Sequence, residues 1–298
     1  MLFCFRGSSE LPGGIGGETG VPEGAEMVSK EAKTVERAAG PTASDLPEAY
    51  LDLLKKCLLR FHDGAAFPYT TESGGESDQR LAYLAGKGIM PHVQADTMVS
   101  RDRLDNIQQA TATVIREGVP GDFIETGVWR GGSCILMRAA LTAYGDKTRK
   151  VWVADSFDGF PPPTDKYPSD PWKGQSQDII GTMGVSLKVT FDEVKDRFDR
   201  YGLLDERVEF LTGFFANTLP NAPIEKLAIL RLDSDLYQST YEALEALYPK
   251  LSVGGYCIID DYFYTMCSKA VDDYRREHGI DEPIEAVDWT CVQWRKTK

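Results

Sequence analysis

Two short apolar runs, each ending in acidic residues, constrain the fold of this chain most strongly. One run covers residues 227–232 and leads into Asp233-Ser234-Asp235, and the other covers residues 255–259 and leads into Asp260-Asp261. Short runs rich in Ile, Val and Leu and bounded by charged residues are typical of buried parallel strands. In an open α/β sheet, ligands bind in the crevice at the carboxyl ends of the strands. The sequence therefore predicts a parallel sheet with an acidic site at that end.

The four carboxylates of these two segments indicate a cation site. Carboxylates that lie together repel one another and lose hydration, so they need a cation or a proton. Oxygen ligands suit Mg²⁺, Mn²⁺ or Ca²⁺ rather than zinc. Asp is also a common helix N-cap, and for Asp233 alone that interpretation is equally good. Because like charges repel, removing one metal-binding carboxylate is expected to leave the stability of the metal-free protein unchanged or higher.

Helix and strand patterns alternate along most of the chain, which indicates a mostly parallel sheet with helices on both faces. Helices are predicted from about residue 45 and over 101–116, 133–144, 191–201, 239–248 and 266–278. Strands are predicted at 123–125, 151–155, 208–211, 227–232 and 255–259, with the last strands within 284–295. A lid or substrate-facing role is a hypothesis for the long loop at 158–186, because compact domains rarely keep such a loop without a function.

The pattern divides the chain into three regions. Residues 1–44 are rich in glycine and are predicted to be a disordered or loosely docked tail, because they bury too little apolar surface. Residues 45–116 are predicted to form a helical cap that faces the substrate. Residues 117–298 are predicted to be the core that carries the site.

Composition excludes several classes of partner. A net charge of −13 argues against binding to a nucleic-acid backbone and against an anionic membrane surface. No apolar run approaches the roughly 20 residues that span a bilayer. The six cysteines are scattered without a CxxC pair, and the first residues lack the pattern of a signal peptide. A cytoplasmic location is therefore expected.

A glycine-rich turn, Glu125-Thr126-Gly127-Val128-Trp129-Arg130-Gly131-Gly132-Ser133, follows the first predicted strand of the core. Such a turn lets a ligand approach the backbone, but it is neither GxGxxG nor the GxxxxGK[ST] phosphate loop. Glu125 would repel a phosphate and favours a cationic or zwitterionic ligand, such as S-adenosylmethionine. Asp155 ends the next strand, where an acidic residue commonly accepts hydrogen bonds from ribose hydroxyls, although it could simply end the strand. Together the two features favour an adenosine site.

Several segments resemble the signature of the macrocin O-methyltransferase family in the same order. The resemblance extends from about Thr97 to Arg295, and its segments are 123–132, 151–157, 230–237, 248–262 and 288–290. The resemblance implies a class I methyltransferase (Rossmann-like) α/β fold. It also implies an S-adenosylmethionine-dependent enzyme that uses Mg²⁺ and methylates a sugar hydroxyl of a glycosylated natural product in antibiotic biosynthesis. A homo-oligomer, most simply a dimer, is expected.

The resemblance also assigns roles to residues of this chain. It implies Asp233, Asp260 and Asp261 as metal ligands and Asp235 as the general base. Ser234 departs from the glycine expected in the Asp-x-Asp turn. The residues implied in cofactor binding are Met98, Glu125, Thr126, Gly127, Ser133, Asp155, Ser156, Gly213 and Phe214.

Three other functions remain open from the residues themselves. A metal-dependent phosphoesterase could use the same aspartates, but it would need basic residues to hold phosphate, and only Arg231 and Lys269 lie close in sequence. A nicotinamide dehydrogenase would suit the first strands and Asp155, but it would normally carry GxGxxG. A non-catalytic ligand-binding protein on the same fold would not need the complete aspartate set.

Overall fold

The protein is described here by a computed structural model, which describes residues 42, 45–60, 94–162, 164–167, 170 and 186–298. Nearly all of the predicted tail and the middle of the predicted lid lie outside these residues. The helices are α1 (Leu46–Leu59), α2 (Arg101–Arg116), α3 (Gly132–Ala143), α4 (Phe191–Arg200), α5 (Phe215–Thr218), α6 (Tyr237–Leu247) and α7 (Thr265–His278). The strands are β1 (Asp122–Thr126), β2 (Val151–Asp155), β3 (Val208–Thr212), β4 (Leu227–Leu232), β5 (Leu251–Ile259), β6 (Glu285–Ala286) and β7 (Val292–Arg295).

The strands form one seven-stranded sheet in the order β3-β2-β1-β4-β5-β7-β6. Strands β1 to β5 pair in parallel, and β7 joins β5 in the antiparallel direction. The predicted mostly parallel sheet is therefore confirmed. All six residues of β4 are buried, as expected for a central strand covered on both faces.

The register of the central strands brings the predicted site residues together. Thr126 at the end of β1 lies beside Leu232 of β4, which lies beside Ile259 of β5. The ladder continues one residue further, because the Asp233 N–H donates to the Thr126 carbonyl at 2.9 Å and the Asp260 N–H donates to the Leu232 carbonyl at 2.8 Å. The two acidic segments therefore begin at the same level of the sheet.

Helices cover both faces of the sheet, and each face has its own buried apolar cluster. Helices α1, α2, α3 and α4 share one buried cluster, and α6 and α7 share the other with Trp294 of β7. Leu51 and Leu58 of α1 are fully buried in the first cluster, so α1 packs into the same core as α2 and α3. Across the described ranges, every helix is too short or too polar to cross a membrane.

Strand β5 differs from its prediction, since it begins at Leu251 rather than at residue 255. Gly254 has a positive φ of 85°, and the pairing of β4 with β5 shifts register between Leu227 and Ile229. An irregular strand start of this kind breaks the apolar pattern from which a strand is recognised.

Candidate active site

A cleft opens at the carboxyl ends of the parallel strands, with about 860 Å³ of open space. Its wall is built by the turn after β1, the residues after β2 and β3, and the turn after β4. The predicted cofactor-binding residues on the wall are Met98, Glu125, Gly127, Ser133, Asp155, Ser156 and Phe214. Asp233 and Asp235 line the same cleft.

Gly127 allows the turns after β1 and β4 to touch. Its φ is +78°, and a Cβ atom at this position would lie 1.7 Å from the carbonyl oxygen of Asp233. Next to it, the Thr126 hydroxyl lies 3.1 Å from the Ser234 hydroxyl, and the Ser234 hydroxyl donates to the Thr126 carbonyl at 3.2 Å. Thr126 therefore lies behind the cleft wall, where it holds the two turns together. Ser234, in place of the expected glycine, supplies the other half of this link.

Asp155 lines the cleft and also holds its backbone. Its carboxylate accepts hydrogen bonds from the N–H groups of Val128 and Phe157, both at 2.8 Å. Burial raises the pKa of Asp155, and these hydrogen bonds act in the opposite direction. Both interpretations of Asp155 therefore have structural support, since it orders the turns and faces the ligand space. Gly213 does not line the cleft; its N–H donates to the Asp155 carbonyl behind it at 2.9 Å.

The predicted metal ligands Asp233, Asp260 and Asp261 form one cluster. Each offers a carboxylate oxygen, and these oxygens lie within 4.8 Å of one another. Burial and the charges of Asp235, Asp233 and Asp260 raise the pKa of Asp261. Burial also raises the pKa of Asp260 to about 6, although Arg231 and Arg103 oppose the shift. Three acidic oxygens at this spacing fit a hard divalent cation such as Mg²⁺.

Arg231 of β4 is a site residue that the sequence did not assign. It is fully buried, and its guanidinium donates to Asp233 at 2.9 Å as well as to Glu125 and Asp260. It does not line the cleft, so it is not placed to hold a phosphate as the phosphoesterase alternative required. A charged residue inside an otherwise apolar strand was the signal for this role.

Arg103 of α2 is a second unassigned contact of the cluster. It donates to Asp260, to Asp288 at 2.7 Å and to Thr290. Ser100 caps α2 by accepting from the Arg103 N–H at 3.2 Å, and its hydroxyl donates to Asp288 at 2.9 Å. Arg103 and Asp260 lie 157 positions apart, so no local pattern in the sequence reveals this pair.

Asp235, the predicted base, is half-buried and lies in the cleft with a positive φ of 54°. Asp is among the few residues that adopt this left-handed conformation readily. Its N–H donates to the Asp261 carboxylate at 2.9 Å, which fixes it beside the cluster. Burial and the neighbouring charges of Asp233 and Asp260 raise the pKa of Asp235 to about 7. A carboxylate with a raised pKa is a stronger proton acceptor.

Both ends of the predicted lid are attached near the cleft. Gly159, Phe160, Pro161 and Leu187 line it, and the Trp129 indole donates to the Ser186 carbonyl at 2.8 Å. Residues 163, 168–169 and 171–185 are outside the described ranges. A lid function therefore stays a prediction.

Known proteins are similar to this chain over most of its length. A family model described as Macrocin-O-methyltransferase (TylF) matches residues 47–296. The tetracenomycin relative of Streptomyces olivaceus, 8-demethyl-8-(2,3-dimethoxy-alpha-L-rhamnosyl)-tetracenomycin-C 4'-O-methyltransferase, is 48% identical over 85% of this chain and 94% of its own length. Mycinamicin III 3''-O-methyltransferase of Micromonospora griseorubida is 42% identical over 84% of this chain and 97% of its own length.

Solved structures show the same fold. The O-methyltransferase NovP aligns with a TM-score of 0.72 and 42% identity, covering 85% of this chain and all of that one. The calicheamicin methyltransferase CalS11 aligns with a TM-score of 0.53 at 19% identity, covering 86% of this chain and 94% of its own, and this similarity concerns the fold alone. The extent of the family match decides against the phosphoesterase, dehydrogenase and non-catalytic alternatives. The chain belongs to the macrocin O-methyltransferase family and is a methyltransferase of the class I fold.

Proposed function

We propose that the protein transfers a methyl group from S-adenosylmethionine to a sugar hydroxyl of a glycosylated natural product, with Mg²⁺ at the aspartate cluster. One observation carries the proposal: a single cleft runs from the glycine turn to Asp233 and Asp235, beside the three clustered carboxylates. The curated relatives support the class of acceptor, since one is named for a rhamnosyl tetracenomycin and another for mycinamicin III.

The chemistry of the cleft wall suits S-adenosylmethionine. Glu125, near the end of β1, and Asp155, at the end of β2, are acidic groups on the wall of the cleft. An ammonium group, a sulfonium and ribose hydroxyls are better partners for carboxylates than a phosphate. Phe214 and Phe215 add apolar surface to the same wall, which suits an adenine ring.

Asp233, Asp260 and Asp261 would hold the metal, which when bound lowers the pKa of a hydroxyl and orients it. Asp235 accepts the proton of the acceptor hydroxyl while the new C–O bond forms. The S–CH₃ bond of the sulfonium breaks in the same step, and S-adenosylhomocysteine leaves as a neutral thioether. The walls of the cleft hold the two reactants in line, which supplies much of the acceleration.

Calorimetry with S-adenosylhomocysteine tests the cofactor assignment independently of the acceptor. We expect micromolar binding by the wild type and at least tenfold weaker binding by Asp155→Ala. Glu242→Gln, which removes the charge of a carboxylate that lines the cleft but is not assigned to the cofactor, is the matched control. A folded wild-type protein that gives no heat with either S-adenosylmethionine or S-adenosylhomocysteine would contradict the proposal.

Removal of the metal by a chelator tests whether the aspartate cluster uses Mg²⁺. Methyl transfer to a panel of rhamnosides should stop in EDTA and return when Mg²⁺ is added in excess. Full activity in EDTA would show that the aspartates act without a metal.

Light scattering of the same samples measures the oligomeric state, which we expect to be a dimer.

A further inference from the structure

Three exposed aromatic side chains lie together on the surface of the protein, and they are called the aromatic platform below. Phe263 is 60% exposed, Tyr264 is 47% exposed and Trp289 is 55% exposed. The ring centroids of Phe263 and Trp289 are 5.1 Å apart, and those of Phe263 and Tyr264 are 6.0 Å apart. Clustered exposed apolar side chains commonly mark a binding surface, whereas isolated ones need no explanation.

The backbone ties the platform to the carboxylate cluster. Phe263 and Tyr264 follow directly after Asp260-Asp261-Tyr262, and the Tyr264 N–H donates to the Asp261 carbonyl at 2.8 Å. The Phe263 N–H donates to the Thr290 carbonyl at 3.2 Å, which holds the loop that carries Trp289 against the first loop. The platform therefore has a fixed position relative to the reacting site.

The loop of Trp289 is also connected to the cluster through side chains. Asp288 accepts from Arg103, and Arg103 donates to Asp260 as well. Burial raises the pKa of Tyr264, and the nearby charges of Asp235 and Asp261 act in the same direction. The platform is thus linked to the carboxylate cluster through hydrogen bonds of both of its loops, although its three residues do not line the cleft itself.

We propose that the aromatic platform binds the aglycone ring next to the acceptor sugar by stacking. The inference rests on the proposed sugar methylation. With the reacting hydroxyl at Asp235, the rest of the acceptor has to extend beyond the carboxylate cluster. The opposite part of the cleft is lined by the residues assigned to the cofactor. Flat apolar rings of an aglycone match exposed aromatic faces, whereas a free sugar offers much less stacking surface.

Binding of two probes tests the platform directly. Methyl α-L-rhamnopyranoside carries the sugar alone, and 4-methylumbelliferyl α-L-rhamnopyranoside carries the same sugar on a flat aromatic ring. We expect the wild type, with Mg²⁺ and S-adenosylhomocysteine present, to bind the aryl glycoside at least about tenfold more tightly in calorimetry. Phe263→Ala combined with Trp289→Ala should remove this preference, and Trp289→Phe should retain most of it.

Matched controls separate stacking from a general loss of apolar surface. Leu53→Ala and Val253→Ala change similarly exposed apolar side chains elsewhere and should leave the preference intact. Equal affinity of the wild type for both probes, including no binding of either, would overturn the inference. So would a double variant that keeps the preference, or one that only changes the oligomeric state, which would make the platform an interface between copies. Binding of S-adenosylhomocysteine, measured in the same samples, shows separately whether the proposed function holds.

Discussion

Arg231 is a buried positive charge among three negative ones. It reaches Glu125, Asp233 and Asp260, and it is fully shielded from solvent. Burial raises the pKa of Glu125 to about 7, and Arg231 acts against this rise. A buried ion pair contributes little net stability, but removing one partner leaves an uncompensated charge at considerable cost. The acidic residues of the cluster are therefore not equivalent.

Replacing Asp260 should destabilise the protein, which corrects the expectation that losing any metal-binding carboxylate is harmless. Both oxygens of Asp260 accept from guanidinium groups, one from Arg231 and the other from Arg103. We expect Asp260→Ala to lower the free energy of unfolding by about 3–5 kcal/mol, the cost of leaving buried charges unpaired. Urea denaturation in EDTA measures this change.

The neighbouring variant Asp261→Ala is the control. Asp261 accepts from the Asp235 N–H, and the charges of Asp235, Asp233 and Asp260 disfavour its ionised form. Its stability in EDTA should therefore stay unchanged or rise. Equal destabilisation by the two substitutions would mean that the pairing with Arg231 and Arg103 does not matter.

Asp235→Asn tests the base. The change is nearly isosteric, keeps the backbone N–H that donates to Asp261, and removes the proton acceptor. We expect kcat to fall by roughly 10²–10⁴-fold, the scale of general base catalysis. Calorimetric binding of Mg²⁺ and S-adenosylhomocysteine should be nearly unchanged, whereas Asp233→Asn should weaken Mg²⁺ binding. Recovery of the Asp235→Asn rate at high Mg²⁺ would instead identify Asp235 as a ligand.

At the level of elements, the site depends on two interlocked turns, one between β1 and α3 and the other between β4 and α6. Because Gly127 has no side chain, the first turn can pack directly against the Asp233 carbonyl of the second turn. The contact between the Thr126 and Ser234 hydroxyls also joins the two turns. The glycine-rich sequence predicted the first turn, and the acidic segment predicted the second. Their contact follows from the parallel register of β1 and β4, since both strands end at the same level.

Gly127→Ala should disrupt this contact. The new methyl group would overlap the Asp233 carbonyl, which is backbone and cannot move aside easily. We expect a loss of about 3 kcal/mol or more in the free energy of unfolding, together with loss of S-adenosylhomocysteine binding.

Gly145→Ala is the matched control for backbone strain. Its φ of +74° is close to the +78° of Gly127, but nothing lies within 4 Å of the added Cβ atom. We expect a loss of roughly 1–2 kcal/mol from the left-handed conformation alone. Similar losses for the two variants would show that backbone conformation, and not the contact between turns, sets the requirement for Gly127.

On the scale of the whole molecule, one apolar core links α1 and α2, which precede the first strand, to the end of the sheet that carries the carboxylate cluster. Helix α1 buries Leu51 and Leu58 in the cluster shared with α2 and α3, and Lys55 of α1 pairs with Asp105 of α2. Helix α2 in turn carries Arg103, which contacts the carboxylate cluster. Helices α1 and α2 therefore support the site through packing, in addition to any direct contact with the acceptor.

Two truncations test this arrangement. Deleting residues 1–40 should change the melting temperature by less than about 2 °C, because glycine-rich sequence buries little apolar surface. Deleting residues 1–60 also removes α1, with its buried leucines, and should lower the melting temperature by roughly 10 °C or more. A large drop after the shorter deletion would mean that the tail contributes to the fold.

The sequence by itself determined the succession of strands and helices along the chain, the glycine turn, and the placement of the aspartates after two of the strands. These features are local, because burial on both faces of a strand and the reversal of the chain at its end leave their pattern in neighbouring residues. The family match covers the same stretch and confirms the fold and the type of reaction. Most of the predicted cofactor residues then lie on one cleft wall, because parallel strands end at a common level.

Only the tertiary structure decided which arginines compensate the charges of the carboxylates and which aromatic side chains lie near them. Arg103 reaches Asp260 across 157 positions, and Trp289 joins Phe263 from a separate loop. Arg231 is visible in the sequence as a charge in an apolar strand. Its partners, however, are brought together only because the carboxyl ends of β1, β4 and β5 meet at one point. Electrostatic energies depend on distances and burial in space, and those quantities exist only once the chain has packed.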